Sequence, residues 1–303
     1  AGAAAAGEAV SAGVAAALAD LVAAAAVAAA AAGETSARLN RLETRRSGCP
    51  LTGLDGYKEK SMAKKLDSPQ SIANEFTEDV KAIYGADLVA VMLYGSALSG
   101  HWDPKRSNIN FLIVLSEVAI TRLDAAFPLV EKWRKRLRTL PIFMTKNYIA
   151  GSLDSFPVEF LHMKRRYQLL YGEDVLAPLV IPHANLRLQC EEQIKGKLLH
   201  LREEYLATLG KRYRLQALVT LTLPPFAVLF KSLLALKDAE IPALHRDIIM
   251  RTAELYGLDR DLFQQLIQAF ERKGKFSLVE MNRLAAAYIT EINKLTLLID
   301  QME

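Results

Sequence analysis

Leu93-Tyr94-Gly95-Ser96 and, further on, Ser107-Asn108-Ile109-Asn110-Phe111-Leu112-Ile113-Val114-Leu115 decide how this chain is read. The apolar run Leu88 to Leu93 predicts a strand that ends in Gly-Ser. A polar loop with Gly100, Asp103 and Pro104 follows, and a second apolar run then opens with polar residues two apart. Positions i and i+2 of a strand share a face, so Asn108 and Asn110 point the same way. Gly95 leaves no Cβ to obstruct a ligand that approaches the backbone.

This layout resembles the DNA polymerase β nucleotidyltransferase superfamily, whose pattern is Gly-Ser on one strand and Asp-x-Asp on the next. Here both aspartates read as asparagine. The resemblance implies that Gly95 and Ser96 bind the phosphates of ATP or another NTP. It puts Asn108 and Asn110 at the metal positions, where family members use two carboxylates to hold divalent ions that bridge the triphosphate and activate a hydroxyl. Two neutral amides do not offset the dehydration of Mg2+ as carboxylates do, so Mg2+ is in doubt and no catalytic residue is assigned. Losing about 5 kcal/mol of transition-state stabilisation slows a reaction by roughly 10³ to 10⁴.

The family's third carboxylate lies on a later strand among apolar residues. Phe156-Pro157-Val158-Glu159-Phe160-Leu161, read as part of a strand from Phe156 to Met163, offers Glu159 for that position. The alternative is an outward residue of an edge strand. The continuation through Leu170-Tyr171-Gly172-Glu173-Asp174, with the later Arg187, Gln189, Lys195, Gly196 and Lys197, is similar to small-molecule nucleotidyltransferases related to aminoglycoside adenylyltransferases. The likeness covers about Ser68 to Tyr205. A C-terminal bundle in that class covers the site, which makes Glu191, Glu192, Lys195 and Lys197 candidates for the cleft; a solvated helix face is the other reading.

The fold class expected is α+β, a small mixed-sheet nucleotidyltransferase domain followed by an all-α bundle. Residues 1–66 read as an Ala-rich low-complexity extension and basic linker, 67–178 as the nucleotidyltransferase-like domain and 179–303 as the bundle, with the boundary near Pro178 to Pro182. Ser68-Pro69 marks a helix start, and Ile72, Phe76, Val80 and Ile83 keep helical spacing before Gly85. Further strands are expected at Ile109 to Leu115 and Leu140 to Met144, and a helix from Thr121 to Arg138 with Pro128 inside it. Beyond Pro178 about five helical segments run Leu186 to Leu209, Leu215 to Leu236, Ala243 to Tyr256, Asp259 to Phe270 and Leu278 to Met302. Such helices bury their apolar stripes against one another.

Length and charge bound the rest. The chain has 303 residues, 51% hydrophobic content and net charge +4, which suits two ordinary cores and gives little purchase for nucleic acid. The first 33 residues contain about twenty alanines, with Glu8 and Asp20 interrupting them, and make a poor membrane span or signal peptide. Cys49 and Cys190 are too few for a disulfide framework, so a reducing cytoplasm is the expected compartment. The basic clusters at Lys132 to Arg138 and Lys164 to Arg166 read as a helix end and a short surface run, and His162 as a packed histidine.

Retained Gly95-Ser96 and lost acids together point to a nucleotidyltransferase-fold protein that binds a nucleotide, or regulates a partner, without efficient transfer. Two alternatives stand beside it. One is an active adenylyltransferase for a small molecule or protein in which Asp103 or Glu159 serves the metal. The other is a protein-interaction module or homo-oligomer, with Leu221, Leu223, Phe226, Leu229 and Phe230 as a docking face.

Overall fold

The computed structural model describes residues 68–98, 102 and 107–302. The chain divides into two compact units; the described part of one is 68–98, 102, 107–146 and 166–175, and of the other 147–165 and 176–302. The 1–66 extension, with its linker, and Asp103 lie outside the described residues. The chain crosses between these units three times, because Asn147–Arg165 packs with the helical unit.

The first unit opens with α1 (Pro69–Tyr84). The Ser68 hydroxyl accepts from the Ser71 N–H, and Pro69, which has no N–H to lose, sits in the first turn. Strands β1 (Leu88–Tyr94), β2 (Asn110–Leu115), β3 (Ile142–Thr145) and β4 (Tyr167–Gly172) form a mixed sheet in the order β3-β2-β1-β4. β1 is antiparallel to both β2 and β4, and β2 is parallel to β3. Val91, Leu93, Phe111 and Ile113 on one face join α1 and α2 (Phe127–Leu137) in a single core. Phe76 stacks on Phe111 at 4.1 Å and meets Trp133 edge-on at 5.5 Å. Asp79 fastens the two helices by accepting from Trp133 Nε1 and Lys132 Nζ, each at 2.6 Å. At the end of β4 only glycine fits: Gly172 has φ +79°, and a Cβ there would fall 1.9 Å from the Val89 carbonyl oxygen.

Two local expectations need correction. The helix from Thr121 to Arg138 is a 3₁₀ segment (Ala119–Ala126), broken at Arg122, followed by α2; Pro128 lies in the first turn of α2, where its missing N–H costs nothing. Phe156 to Met163 is not a strand: Phe156 precedes α4 (Pro157–Arg165) and Pro157 to Met163 belong to it, α4 following the short α3 (Lys146–Ala150). The apolar residues there fit both periods, since Phe156, Val158 and Phe160 alternate while Phe156, Phe160 and Met163 repeat at four and three. The Phe160 N–H bond to the Phe156 carbonyl and Pro157 at the start make the helix.

The helical unit continues with α5 (His183–Ala207), α6 (Arg212–Leu236), α7 (His245–Leu255), α8 (Arg260–Phe270) and α9 (Leu278–Asp300). A capping box at Ser277 and Glu280 starts α9. α6 is its centre and carries Pro224 and Pro225 within it. Among the described residues α6 alone is long and apolar enough to cross a membrane, and 67% of its apolar window is buried inside the protein. Leu223, Phe226, Leu229 and Phe230 are core residues, packed with Phe263 and Tyr288, and therefore no docking face; only Leu221 of the five is exposed.

Candidate functional site

β1 and β2 bring Gly95 and Asn110 together. Tyr94, the last residue of β1, pairs with Asn110 on one side and Tyr167 on the other. The chain then turns through the 3₁₀ segment Gly95–Leu98, with Gly95 at φ +87° and Ser96 exposed. The Gly95 N–H donates to the Arg166 carbonyl at 3.0 Å, so this amide already has its partner. A Cβ on Gly95 would stand 3.1 Å from Asn110 Nδ2.

Ile109 fixes the side on which the asparagines lie. Its N–H donates to the Leu137 carbonyl at 3.0 Å and its side chain is fully buried in the core beneath the sheet. Asn108 and Asn110 flank it, half-buried. The two strands that follow β2 bear no acid: β3 reads Ile142-Phe143-Met144-Thr145 and β4 Tyr167-Gln168-Leu169-Leu170-Tyr171-Gly172. The acids just beyond β4 are engaged, Glu173 with Lys146 Nζ and Asp174 with the Tyr167 hydroxyl at 2.7 Å. Burial and that carboxylate push the Tyr167 phenol up to about 12. Among the described residues no group of three or more His, Cys, Asp or Glu side chains is placed to hold a metal ion.

Glu159 belongs to the other unit, at the start of α4, and its side chain is buried. Gln189 Nε2 donates to its Oε2 at 2.7 Å, Gln193 Nε2 reaches Oε1 at 3.5 Å, and Gln189 Oε1 accepts the Val158 N–H at 2.8 Å. The glutamines, one turn apart on α5, thus clamp the first turn of α4. Burial raises the Glu159 carboxyl above its ordinary range against the lowering effect of these donors. Burial and Glu159 together push the neighbouring Cys190 thiol up to about 12.

No family model matches this chain, and no curated protein matches it. Among solved structures it is similar to the spectinomycin adenyltransferase AAD(9) from Enterococcus faecialis, determined with ATP and spectinomycin. Identity is 14% and the TM-score 0.44, with 75% of this chain and 99% of that chain covered. A likeness this slight carries no argument about what the chain does.

On α5, the remaining candidates divide by their contacts. Arg187 bonds Glu191 at 2.8 Å and the Ile299 carbonyl at 3.2 Å, and Lys195 reaches Asp300 at 3.2 Å, so Arg187, Glu191 and Lys195 tie α5 to the end of α9. Lys197 is half-buried and its ammonium is lowered by burial. His162 hydrogen-bonds the fully buried Ser232 hydroxyl at 3.0 Å, and burial, with the charges of Lys231 and Arg165, brings it down to about 4. The imidazole is therefore neutral at pH 7. Two of these relations were missed in the sequence, the Gln189–Gln193 clamp and the Arg166 carbonyl on Gly95. A glutamine pair at i and i+4 was visible for the first; a backbone acceptor leaves no trace in side chains.

Proposed function

We propose that this is a nucleotidyltransferase-like protein that binds a nucleotide, or regulates a partner, and does not transfer efficiently. One observation carries the reading. Asn110 opens β2 and Asn108 lies two residues before it, where the resemblance requires two carboxylates, and neither β3 nor β4 supplies another. Neutral amides donate and accept hydrogen bonds, so the pair suits polar contact with a ligand better than the charge neutralisation of a divalent ion.

Ser96, exposed where the turn begins, is the group assigned to the phosphates, and Gly95 serves by its conformation, its N–H being held by Arg166. Glu159 is an interhelical tie in this account. An assay for AMP transfer from ATP in Mg2+ to candidate small-molecule and protein acceptors tests the claim. No turnover above background is expected; transfer by the unaltered chain would overturn it.

A further inference from the structure

We propose that the cleft between α6, α7 and α8 binds a free α-amino acid with a large apolar side chain. The cleft has a volume of about 310 Å³. Leu223, Pro224 and Ala227 of α6, Ile249 of α7, and Ile267 and Phe270 of α8 supply its apolar wall. That volume falls at the lower end of small-molecule sites, about 300–1,000 Å³. That suits an amino acid and is too small for a nucleoside triphosphate.

Two opposite charges line the same cleft, Arg246 and Glu271. Arg246 lies in the first turn of α7, and Asp247, 3.7 Å from its Nε, is its ion-pair partner among the described residues. Both side chains are more than half exposed, so that pair holds the guanidinium weakly. The α7 N-cap, Leu244, offers no side-chain acceptor to the first backbone N–H groups, which adds positive character at the same end. Glu271 follows the last turn of α8, where carbonyls add negative character, and pairs with Lys273. A carboxylate has two oxygens and serves a second cation. The ligand's carboxylate meets Arg246, its ammonium meets Glu271, and its side chain enters the apolar wall. A fatty acid would leave Glu271 facing hydrocarbon, and an apolar amine would leave Arg246 without a partner.

Calorimetric titration of the whole protein with L-phenylalanine, 3-phenylpropanoate and phenethylamine tests this. The amino acid is expected to bind at least about tenfold more tightly than either singly charged analogue. Arg246→Glu and Glu271→Gln alter charges at the rim, so the fold persists, as circular dichroism will verify. Each should weaken L-phenylalanine about tenfold or more, and Glu271→Gln should not weaken the already weak binding of 3-phenylpropanoate. Equal affinity for all three probes, indifference to both substitutions, or no binding of L-phenylalanine at millimolar concentration would overturn the assignment. No nucleotide is present, so the result stands apart from the fate of the nucleotide reading.

Discussion

Asn110 Nδ2 lies 3.1 Å from the point where a Cβ on Gly95 would sit, so a methyl group there would have to displace that amide by a few tenths of an ångström. Gly95 is favoured by φ +87° and also by the amide beside it. Gly257 shares only the first requirement, with φ +62° and nothing within 4 Å of a Cβ. Gly257→Ala is therefore expected to cost about 1 kcal/mol and Gly95→Ala about 2 kcal/mol. Adding Asn110→Ala should return part of the loss at Gly95, as urea denaturation of the single and double variants will show.

Acids introduced at the two asparagine positions add charge without rebuilding the whole site. Asn108→Asp with Asn110→Asp places two carboxylates on one face, so the variant should melt at lower temperature in EDTA and recover on addition of Mg2+. Since β3 and β4 bring no acid, AMP transfer should stay at background. Immediate activity in the variant would show that the remaining machinery is intact and that the two asparagines alone silence it.

Glu159 gives a prediction whose sign depends on which group is removed. Its carboxyl is raised in the folded state, so the native protein holds that proton more tightly and its ionisation weakens folding as pH rises through the carboxylate range. Glu159→Gln should be neutral or mildly stabilising at pH 7. Glu159→Ala leaves the amides of Gln189 and Gln193 short of an acceptor and should cost about 1–3 kcal/mol. Denaturation of both variants at pH 7 checks the contrast; equal losses would contradict the clamp.

How much of this was legible beforehand varies with the kind of signal. β1, the Gly95 turn and β2 followed from apolar runs with punctuation, because a buried strand needs an unbroken apolar stretch. The helices after Pro178 were plain for a similar reason, their stripes repeating over many turns. Glu159 was misplaced because Phe156 to Met163 satisfies both the helical and the strand period, and tertiary packing against α5 chose between them. Chain crossing between units was invisible, since no composition shift marks residue 147 or residue 166. Arg246 and Glu271 come to line one cleft only through the packing of α7 and α8, which sequence spacing does not report.

His162 makes the helical unit acid-sensitive. Its folded pKa, about 4, lies below the ordinary histidine value, so the unfolded chain takes up the proton first as pH falls. Stability present above pH 6.5 is lost progressively toward pH 4. The urea midpoint should fall from pH 7 to pH 5, and His162→Gln should flatten that slope. An unchanged slope in the variant would assign the acid sensitivity to other groups.

The central claim is that the site binds a nucleotide without a catalytic metal. Calorimetric titration of the purified protein with ATP, first in EDTA and then in Mg2+, tests it most directly. The account predicts binding of similar affinity in both buffers, weakened by Ser96→Ala. Binding that appears only with Mg2+ would contradict it, because a working metal site would then survive despite Asn108 and Asn110.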